Sequence, residues 1–198
     1  MPDLPSFAGA LFLGYLLGSI PFGLIIAWAS GSGDVRNIGS GSIGATNVLR
    51  TGKKWAAGAT FLCDAGKGAA AVLVLRWLSG NEMAVVGALG AILGHLFPVW
   101  LKFKGGKGIS TFFGVTFALF WPVGLLAGAT WLALAFMFRI SSLSGLATTA
   151  LAPAYMLGFG QHLTAVLALA IALLIWFAHR ANIRRLLKGE EPRIGAAK

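Results

Sequence analysis

Residues 4–33 read LPSFAGALFLGYLLGSIPFGLIIAWASGSG and contain no charged side chain. About 20 apolar residues are enough for a helix to cross a bilayer, so this stretch predicts a membrane-spanning first helix. We expect a kink within it, because Pro21 removes a backbone hydrogen bond. Residues 27–29 (AWA) are similar to a signal-peptidase site, but the preceding run has no basic start and is longer than a signal-peptide core. We therefore expect the helix to be retained.

The composition extends the membrane assignment to the whole chain. Of its 198 residues 57% are hydrophobic and only 11% are charged, and the mean hydropathy is +0.80. These values exceed what a soluble domain needs, so we predict an all-α integral membrane protein. We find no internal repeat and no second domain, and we expect residues 1–198 to form a single membrane domain. The one cysteine, Cys63, lies in an apolar run and implies no disulfide framework.

Further apolar runs bring the expected number of transmembrane helices to about seven. The runs after the first lie at about 55–78, 83–101, 109–120, 122–138, 143–157 and 163–178. The apolar stretch from 109 to 138 is too long for one span, and Trp121-Pro122 marks a turn within it. Asp64 and Lys67 lie three residues apart on one helical face, which predicts a buried ion pair. A supporting role beside an active site is the alternative for this pair.

The positive charges predict the orientation in the membrane. With the N-terminus outside, all 16 Lys and Arg residues except Lys67 and Arg76 fall on the inner side, as the positive-inside rule expects. The net charge of +10 would also suit nucleic acid, but the basic residues form short clusters between apolar spans. We therefore predict membrane lipids and phosphorylated metabolites as partners, no nucleic acid, and an active site formed by polar loops on the cytoplasmic face.

The longest polar and glycine-rich segment is 36–50, RNIGSGSIGATNVLR, which we call the cradle. Glycines allow a backbone to turn its N–H groups toward an anion, and small polar side chains fit beside it. We predict that Arg50 binds phosphate, because a guanidinium matches two oxygens, and that Ser40 donates to the same anion. The alternatives are a lipid head-group anchor for Arg50 and a turn or helix cap for Ser40. The other candidate phosphate contacts of the cradle are Gly39, Gly41, Thr46 and Asn47.

A second basic segment, 102–108 (KFKGGKG), stands directly before an apolar run, and we call it the glycine loop. Amides at a helix N-terminus stabilise an anion, so Gly105 and Gly106 are predicted to point their N–H groups at a phosphate. Lys107 adds a full charge. The segment is not a Walker P-loop, because the first glycine and the Lys-Ser/Thr pair are missing. An ordinary basic loop at the lipid head groups is the alternative.

The third polar segment, 179–185, follows the last predicted span. His179 and Asn182 lie three residues apart, so both can face the interior. An interfacial histidine more often has a structural role than a catalytic one, and both remain open here. We expect His95 to pack in the helical wall and His162 to lie on the outer surface. No residues show metal-ligand spacing or a Ser-His-Asp arrangement, so we expect no metal and no cofactor.

Together these segments resemble the bacterial acyl-phosphate:glycerol-3-phosphate acyltransferases, the PlsY family. The resemblance covers nearly the whole chain, and its most specific motifs are GSGxxGATNxxR at 39–50 and FKGGKG at 103–108. Ser42 is a departure, since the family usually has Asn there. The resemblance implies an enzyme of the bacterial inner membrane that transfers a fatty acyl group from acyl phosphate to the 1-hydroxyl of glycerol 3-phosphate. The products would be lysophosphatidic acid and phosphate, in the first acylation step of phospholipid synthesis.

The resemblance also implies roles for individual residues. The positions that match residues important for activity in the family are Ser40, Arg50, His179 and Asn182. The glycine-loop positions implied in glycerol 3-phosphate binding are Lys104, Gly105, Gly106, Lys107 and Gly108. Glu191 matches an acid whose role looks structural.

The chemistry of an acyl phosphate is consistent with a site that is poor in carboxylates. The phosphate leaves as an anion, so no strong general acid is needed. We hypothesise that Arg50, Lys107, Ser40 and glycine-loop amides hold the phosphates and the tetrahedral oxyanion. The hydroxyl proton would pass to the substrate's own phosphate, with His179 as a less favoured base.

Three other functions fit parts of the sequence. A transporter or channel for an anionic metabolite would also use discontinuous helices and inward basic residues, but no inverted repeat is visible. A head-group-binding scaffold would leave the glycine spacing unexplained. An acyltransferase that uses acyl-CoA would need similar basic loops, and only the family resemblance argues against it.

Overall fold

The structure is a computed structural model that describes residues 4–195. All regular secondary structure within that range is helical, as predicted. The contacts divide the chain into two compact units, of which the first ends at Leu119 and the second begins at Phe120. The single membrane domain expected for residues 1–198 stays a prediction, and its first and last three residues lie outside the described part.

The described part of the first unit contains five α-helices, and breaks interrupt two of its apolar stretches, one around Pro21 and one at Gly80. Its helices are α1 (Leu4–Gly18), α2 (Phe22–Ala29), α3 (Ala45–Leu49), α4 (Lys54–Leu96) and α5 (Ile109–Leu119). The predicted kink is a break of three residues around Pro21, which has no N–H to continue the helix. Within α4 the backbone leaves the helical region at Gly80, with a φ of 84° and a ψ of −177°, a conformation that essentially only glycine adopts. The second and third predicted spans are therefore the two halves of α4.

The crossing of α1 and α4 depends on small residues. A Cβ atom at Gly14 would lie 2.2 Å from the carbonyl oxygen of Gly87, so the two backbones are in direct contact. Such close approach is the usual way in which helices associate within a membrane. Tyr15, the next residue of α1, donates its hydroxyl to the carbonyl oxygen of Phe97 at 2.7 Å, directly after α4. The loops that follow α2 and α4 are thus supported by a tightly packed pair of helices.

The second unit has a turn near the predicted position. Its helices are α6 (Trp121–Phe138), α7 (Ser141–Gly158), α8 (His162–Ala178) and α9 (Arg180–Leu187). Phe120 is extended, and Pro122 lies in the first turn of α6, where its missing N–H has no helical partner to lose. The axes of α8 and α9 differ by 68°. The segment after α9 returns to the junction of α6 and α7, where Ile194 donates its backbone N–H to the Arg139 carbonyl at 2.6 Å.

Several helical segments are suited to a bilayer. Within the described residues, Leu4–Ala29, Lys54–Leu101 and Trp121–Phe138 are long and apolar enough to cross a membrane, and α8 with α9 would add a fourth. Large apolar side chains such as Trp77 and Phe136 are more than four-fifths exposed, which suits contact with lipid. The count of seven spans and the side on which each loop lies stay predictions.

Candidate active site

The cradle is folded around one buried side chain, that of Asn47. Its Nδ2 donates to the carbonyl oxygens of Val35 and Ser42, both at 2.7 Å, and of Ile38 at 3.2 Å. Its Oδ1 accepts from the backbone N–H of Ser40 at 3.1 Å. An amide can donate and accept at once, so one residue closes the segment on itself. The sequence predicted a phosphate contact for Asn47, whereas both polar ends of this side chain are hydrogen-bonded to the backbone of residues 35–42.

Ser40 and Arg50 converge on the same oxygen of Asn47. The Ser40 hydroxyl and the Arg50 Nη1 each lie 3.4 Å from Asn47 Oδ1, which is long for a hydrogen bond. Both residues are exposed. A Cβ at Gly39 would lie 2.2 Å from Arg50 Nη1, and the φ of Gly39 is +54°. Glycine at position 39 therefore leaves room for the guanidinium group of Arg50. The side chains of Ser40 and Arg50, both predicted for the site, lie together at the surface.

The remaining cradle residues differ in their surroundings. Gly41 has a φ of +68°, and Thr46 is exposed on α3. The Arg36 guanidinium binds Asp34, with Nε to Oδ1 at 2.9 Å and Nη2 to Oδ2 at 2.6 Å. The hydrogen bonds from Arg36 hold the pKa of Asp34 below its ordinary value, and Asp34 in turn raises the pKa of Arg36. The two arginines that border the cradle are thus unlike, since Arg36 is paired with a carboxylate.

The glycine loop folds back on the end of α4. The backbone N–H of Gly105 donates to the Leu96 carbonyl at 3.1 Å, and that of Gly106 donates to the His95 carbonyl at 3.0 Å. This corrects the prediction that these two amides point at an anion. They face inward because the chain packs on α4 before it enters α5, instead of running straight into the α5 N-terminus.

The rest of the glycine loop is shaped by backbone conformations of positive φ. Lys102 and Phe103 have φ values of 52° and 60°, which are uncommon for residues other than glycine, and the chain reverses here. Lys104 follows and is exposed. Lys107 is half-buried, and Gly108, with a φ of +89°, is the last residue before α5. The two lysines predicted to bind phosphate therefore stand on either side of the inward-facing glycines.

The cradle and the glycine loop lie at the same end of the first unit. Leu101, just before the glycine loop, packs on a buried apolar cluster that includes Ile43 and Val48 of the cradle. Gly23 of α2 supports the cradle from below, since a Cβ there would lie 1.8 Å from the Ile43 carbonyl oxygen. The structure thus brings two of the three predicted polar segments into one region.

A buried polar cluster lies beneath these loops. The predicted ion pair is confirmed, with Lys67 Nζ 2.8 Å from Asp64 Oδ1. His95 Nδ1 lies 3.7 Å from the same carboxylate oxygen, and all three side chains are buried. Sequence reasoning missed the link to His95, because the two halves of α4 that carry these residues are far apart along the chain. The only signal was a histidine within an apolar span, where packing in the helical wall was expected.

In the second unit Glu191 organises the segment after α9. Its Oε1 accepts from Ser142 Oγ at 2.7 Å and from Asn182 Nδ2 at 2.5 Å, and its Oε2 accepts from Arg185 Nε at 2.6 Å. Burial raises the pKa of Glu191, but these three donors outweigh it and hold the pKa below its ordinary value. The structural role implied for this acid by resemblance agrees with its position.

The predicted activity residues of the second unit lie at the bend between α8 and α9. His179 and Asn182 are 2% and 4% exposed, so both face the interior as expected. His179 Nδ1 lies 2.8 Å from the carbonyl oxygen of Ile175. Asn182 Oδ1 is buried and has no hydrogen-bond partner within the described part of the chain. His162, at the start of α8, is exposed.

Comparison with known proteins relates these features to an established family. A profile described as "Glycerol-3-phosphate acyltransferase" matches residues 8–189. The glycerol-3-phosphate acyltransferase of Dinoroseobacter shibae is 57% identical over 202 residues, covering 100% of both chains. That of Rhodopseudomonas palustris is 54% identical over 192 residues, covering 97% of this chain and 98% of its own.

Two crystal structures of PlsY (YgiH), an integral membrane glycerol 3-phosphate acyltransferase, share the fold. The glycerol 3-phosphate form has a TM-score of 0.90 at 38% identity, and the lysophosphatidic acid form has a TM-score of 0.88 at 37% identity. Each comparison covers 96% of both chains. The predicted all-α integral membrane fold is thereby confirmed. The chain belongs to the glycerol-3-phosphate acyltransferase family.

Proposed function

We propose that this protein transfers a fatty acyl group from acyl phosphate to the 1-hydroxyl of glycerol 3-phosphate, giving lysophosphatidic acid and inorganic phosphate. Membership of the family supports the acyltransferase reaction and its glycerol 3-phosphate acceptor, and the acyl phosphate donor rests on the motifs of the cradle and glycine loop. The observation that carries the proposal is the exposed pair of Ser40 and Arg50, held together at Asn47.

In the proposed reaction the chain's own groups bind charge and orient the substrates. Both substrates carry phosphate, and Arg50 and Lys107 offset the repulsion between them. The acceptor hydroxyl attacks the acyl carbonyl carbon to form the ester C–O bond, and phosphate leaves with the electron pair of the bond it breaks. Ser40 donates to the oxyanion of the tetrahedral intermediate. The hydroxyl proton passes to a substrate phosphate.

The contacts refine the roles of several residues. Asn47 shapes the cradle instead of binding phosphate, since its amide group is already hydrogen-bonded to four backbone groups. The glycine loop binds glycerol 3-phosphate through its lysines, Lys104 and Lys107, while its two central glycines allow close packing. His179 and Asn182 are further candidates for activity, and substitution of each would test them.

The proposed setting is the bacterial inner membrane, with about seven spans and the N-terminus outside. The supporting observation is the concentration of basic residues in segments that this arrangement places on the cytoplasmic side. Residues 1–198 would act as a single membrane domain, with lipids around it and the cradle and glycine loop facing the cytoplasm, where glycerol 3-phosphate is available.

The reaction can be tested with purified protein in detergent. Glycerol 3-phosphate would be supplied with palmitoyl phosphate, palmitoyl-CoA or palmitoyl-carrier protein in separate reactions. We expect lysophosphatidic acid from palmitoyl phosphate alone, with loss of product in Arg50→Ala. Arg36→Ala is a matched control, because this arginine borders the same segment but is paired with Asp34.

The other outcomes are informative as well. Product from palmitoyl-CoA would keep the enzyme class and overturn the proposed donor. Absence of product from every donor, in a folded sample, would overturn the enzyme proposal. A flux assay in proteoliposomes would then test a transporter of anionic metabolites.

A further inference from the structure

We propose that His95 is a positioning residue for the glycine loop and that Asp64 and Lys67 hold it in place. The inference rests on the proposed binding of glycerol 3-phosphate by this loop. It assigns a function to a buried polar cluster that the reaction described above does not use.

The first step is the contact between the loop and the imidazole ring. A Cβ at Gly106 would lie 2.1 Å from His95 Nε2, and a Cβ at Gly105 would lie 2.1 Å from the His95 carbonyl oxygen. The Gly106 backbone N–H also donates to that carbonyl at 3.0 Å. Nothing fits between the turn and the histidine, so the ring determines how far the loop stands from α4.

The second step concerns what holds the ring. His95 Nδ1 faces Asp64 Oδ1 at 3.7 Å, beyond hydrogen-bonding distance but close enough for the buried charge to orient the imidazole. Lys67 Nζ pairs with Asp64 Oδ1, whereas Asp64 Oδ2 and His95 Nδ1 are buried without a hydrogen-bond partner within the described residues. Buried polar atoms in this state are unfavourable for stability, which argues for a role beyond packing.

The third step links the cluster to the support of the cradle. Lys67 Nζ, which pairs with Asp64, also donates to the Ile20 carbonyl at 2.7 Å and lies 5.9 Å from the centre of the Phe22 ring. Ile20 and Phe22 belong to the junction of α1 and α2, and α2 carries the cradle through Gly23. One buried cluster therefore ties the base of the glycine loop to the base of the cradle.

The expected consequence concerns one substrate more than the other. Lys107 follows Gly106 directly, so a shift of the turn moves its ammonium group away from glycerol 3-phosphate. Misplacement of a binding group by about 1 Å can cost up to about a hundredfold in rate. We expect His95→Ala to raise KM for glycerol 3-phosphate about tenfold or more, with KM for acyl phosphate changed by less than about twofold.

The experiment measures kcat and both KM values for the full-length protein and its variants in detergent, together with the Tm. Met83→Ala is the matched control, because Met83 is equally buried in the same half of α4 and packs near Ala10 and Leu75 instead of the loop. His95→Asn keeps a polar side chain and should recover part of the loss. An equal rise in both KM values, or the same rise in Met83→Ala, would overturn the proposal.

A second pair of variants tests the contact itself. Gly106→Ala forces a methyl group onto the imidazole and should raise KM for glycerol 3-phosphate, whereas Gly58→Ala, with nothing within 4 Å, should not. The Gly106→Ala effect should shrink at least about fivefold when His95→Ala removes the ring, because residues in contact are not additive. Additive effects would contradict the proposal. If His95→Ala does not fold, His95→Asn takes its place in this cycle.

Lysophosphatidic acid formation by the wild-type protein tests the proposed function independently of the positioning role of His95. If wild type forms no lysophosphatidic acid, binding still tests the positioning role through the Tm shift that glycerol 3-phosphate produces. We expect a shift in wild type and Met83→Ala and a weaker one in His95→Ala. Equal shifts in all three would overturn the inference.

Discussion

In the cradle one side chain, Asn47, binds backbone groups of its own neighbourhood, whereas the glycine loop rests on His95 of α4. The farthest hydrogen-bond partner of Asn47 is twelve residues away in sequence. The glycine loop, in contrast, depends on a buried cluster whose members come from both halves of α4. The cradle is held by hydrogen bonds to one of its own side chains, so its shape depends on local contacts. The glycine loop packs on α4, so its shape depends on the positions of the two halves of that helix.

The largest effects should come from the cation that each loop presents. Arg50→Ala and Lys107→Ala should each lower kcat/KM about 10²–10³-fold, because each removes a charge that stabilises phosphate or the oxyanion. Lysophosphatidic acid formation measures this, with Arg36→Ala as the control. A loss of only about twofold would show that the residue does not act in the site. The cradle and the glycine loop would then differ in structure but not in a shared role in binding phosphate.

The next largest effect should come from the centre of the cradle. Asn47→Asp keeps the shape but replaces the donor Nδ2 with an oxygen that faces three carbonyl groups. Leaving such groups without a donor costs about 1–3 kcal/mol, so activity should fall about tenfold to a hundredfold. We expect both KM values to change, unlike the one-sided change predicted for His95→Ala.

The measurement for Asn47→Asp is therefore kcat and KM for each substrate beside those of His95→Ala. Indistinguishable profiles for the two variants would mean that the cradle and the glycine loop respond as a single unit.

A smaller effect, on thermal stability, is expected at Glu191, a charged residue that accepts hydrogen bonds from several side chains. Glu191 accepts hydrogen bonds from Ser142, Asn182 and Arg185. Because these donors favour the charged carboxylate, the pKa of Glu191 in the folded state lies below its ordinary value of 4.5. Its stabilisation is therefore fully present above that value and is lost as the pH falls through the folded-state pKa. Glu191→Gln should lower Tm by a few degrees at neutral pH and remove this acidic pH dependence.

Thermal unfolding in detergent from neutral to acidic pH checks the Glu191 prediction. Ser144→Ala is a suitable control, since Ser144 is buried on the same helix as Ser142 but its hydroxyl donates to the carbonyl oxygen of Ile140, directly before α7. A pH profile of Glu191→Gln that matches wild type would contradict the assignment.

The smallest effect is expected at Ser42, where the family usually has Asn. Ser42 Oγ accepts from the Gly44 N–H at 3.3 Å, and an Asn side chain at this position can accept from the same group. Ser42→Asn should change activity by less than about threefold, because Asn47 binds the carbonyl of residue 42 and not its side chain. A loss above tenfold would give residue 42 a direct contact with substrate.

The helices of the fold were largely predictable, because they follow from apolar length and from proline. The break at Pro21 and the turn before Pro122 are local backbone effects that need no tertiary contact. The separation of the second and third spans was also predicted, although the residue that divides them is Gly80. The polar residues proposed for the site were chosen by type and spacing, but the direction in which each group points could not be predicted in this way.

Three examples show why the directions of these polar groups could not be predicted from the sequence. The Gly105 and Gly106 amides suit an anion by composition, yet they donate to α4 because the loop packs there. Asn47 has the chemistry of a phosphate ligand, yet four backbone groups take up its hydrogen bonds. His95 has no partner near it in sequence, and its neighbours come from the other half of α4 and from the glycine loop.

The sequence by itself determined that this chain is helical, lies in a membrane and carries Ser40, Arg50 and Lys107 in glycine-rich loops suited to phosphate. These properties depend on composition and short-range spacing, which the chain carries whatever its tertiary contacts. Only the tertiary structure decided which of the polar groups stay exposed at the surface and which hold the loops. That choice depends on hydrogen-bond partners brought together by helix packing, and a buried polar group takes the partner that packing supplies.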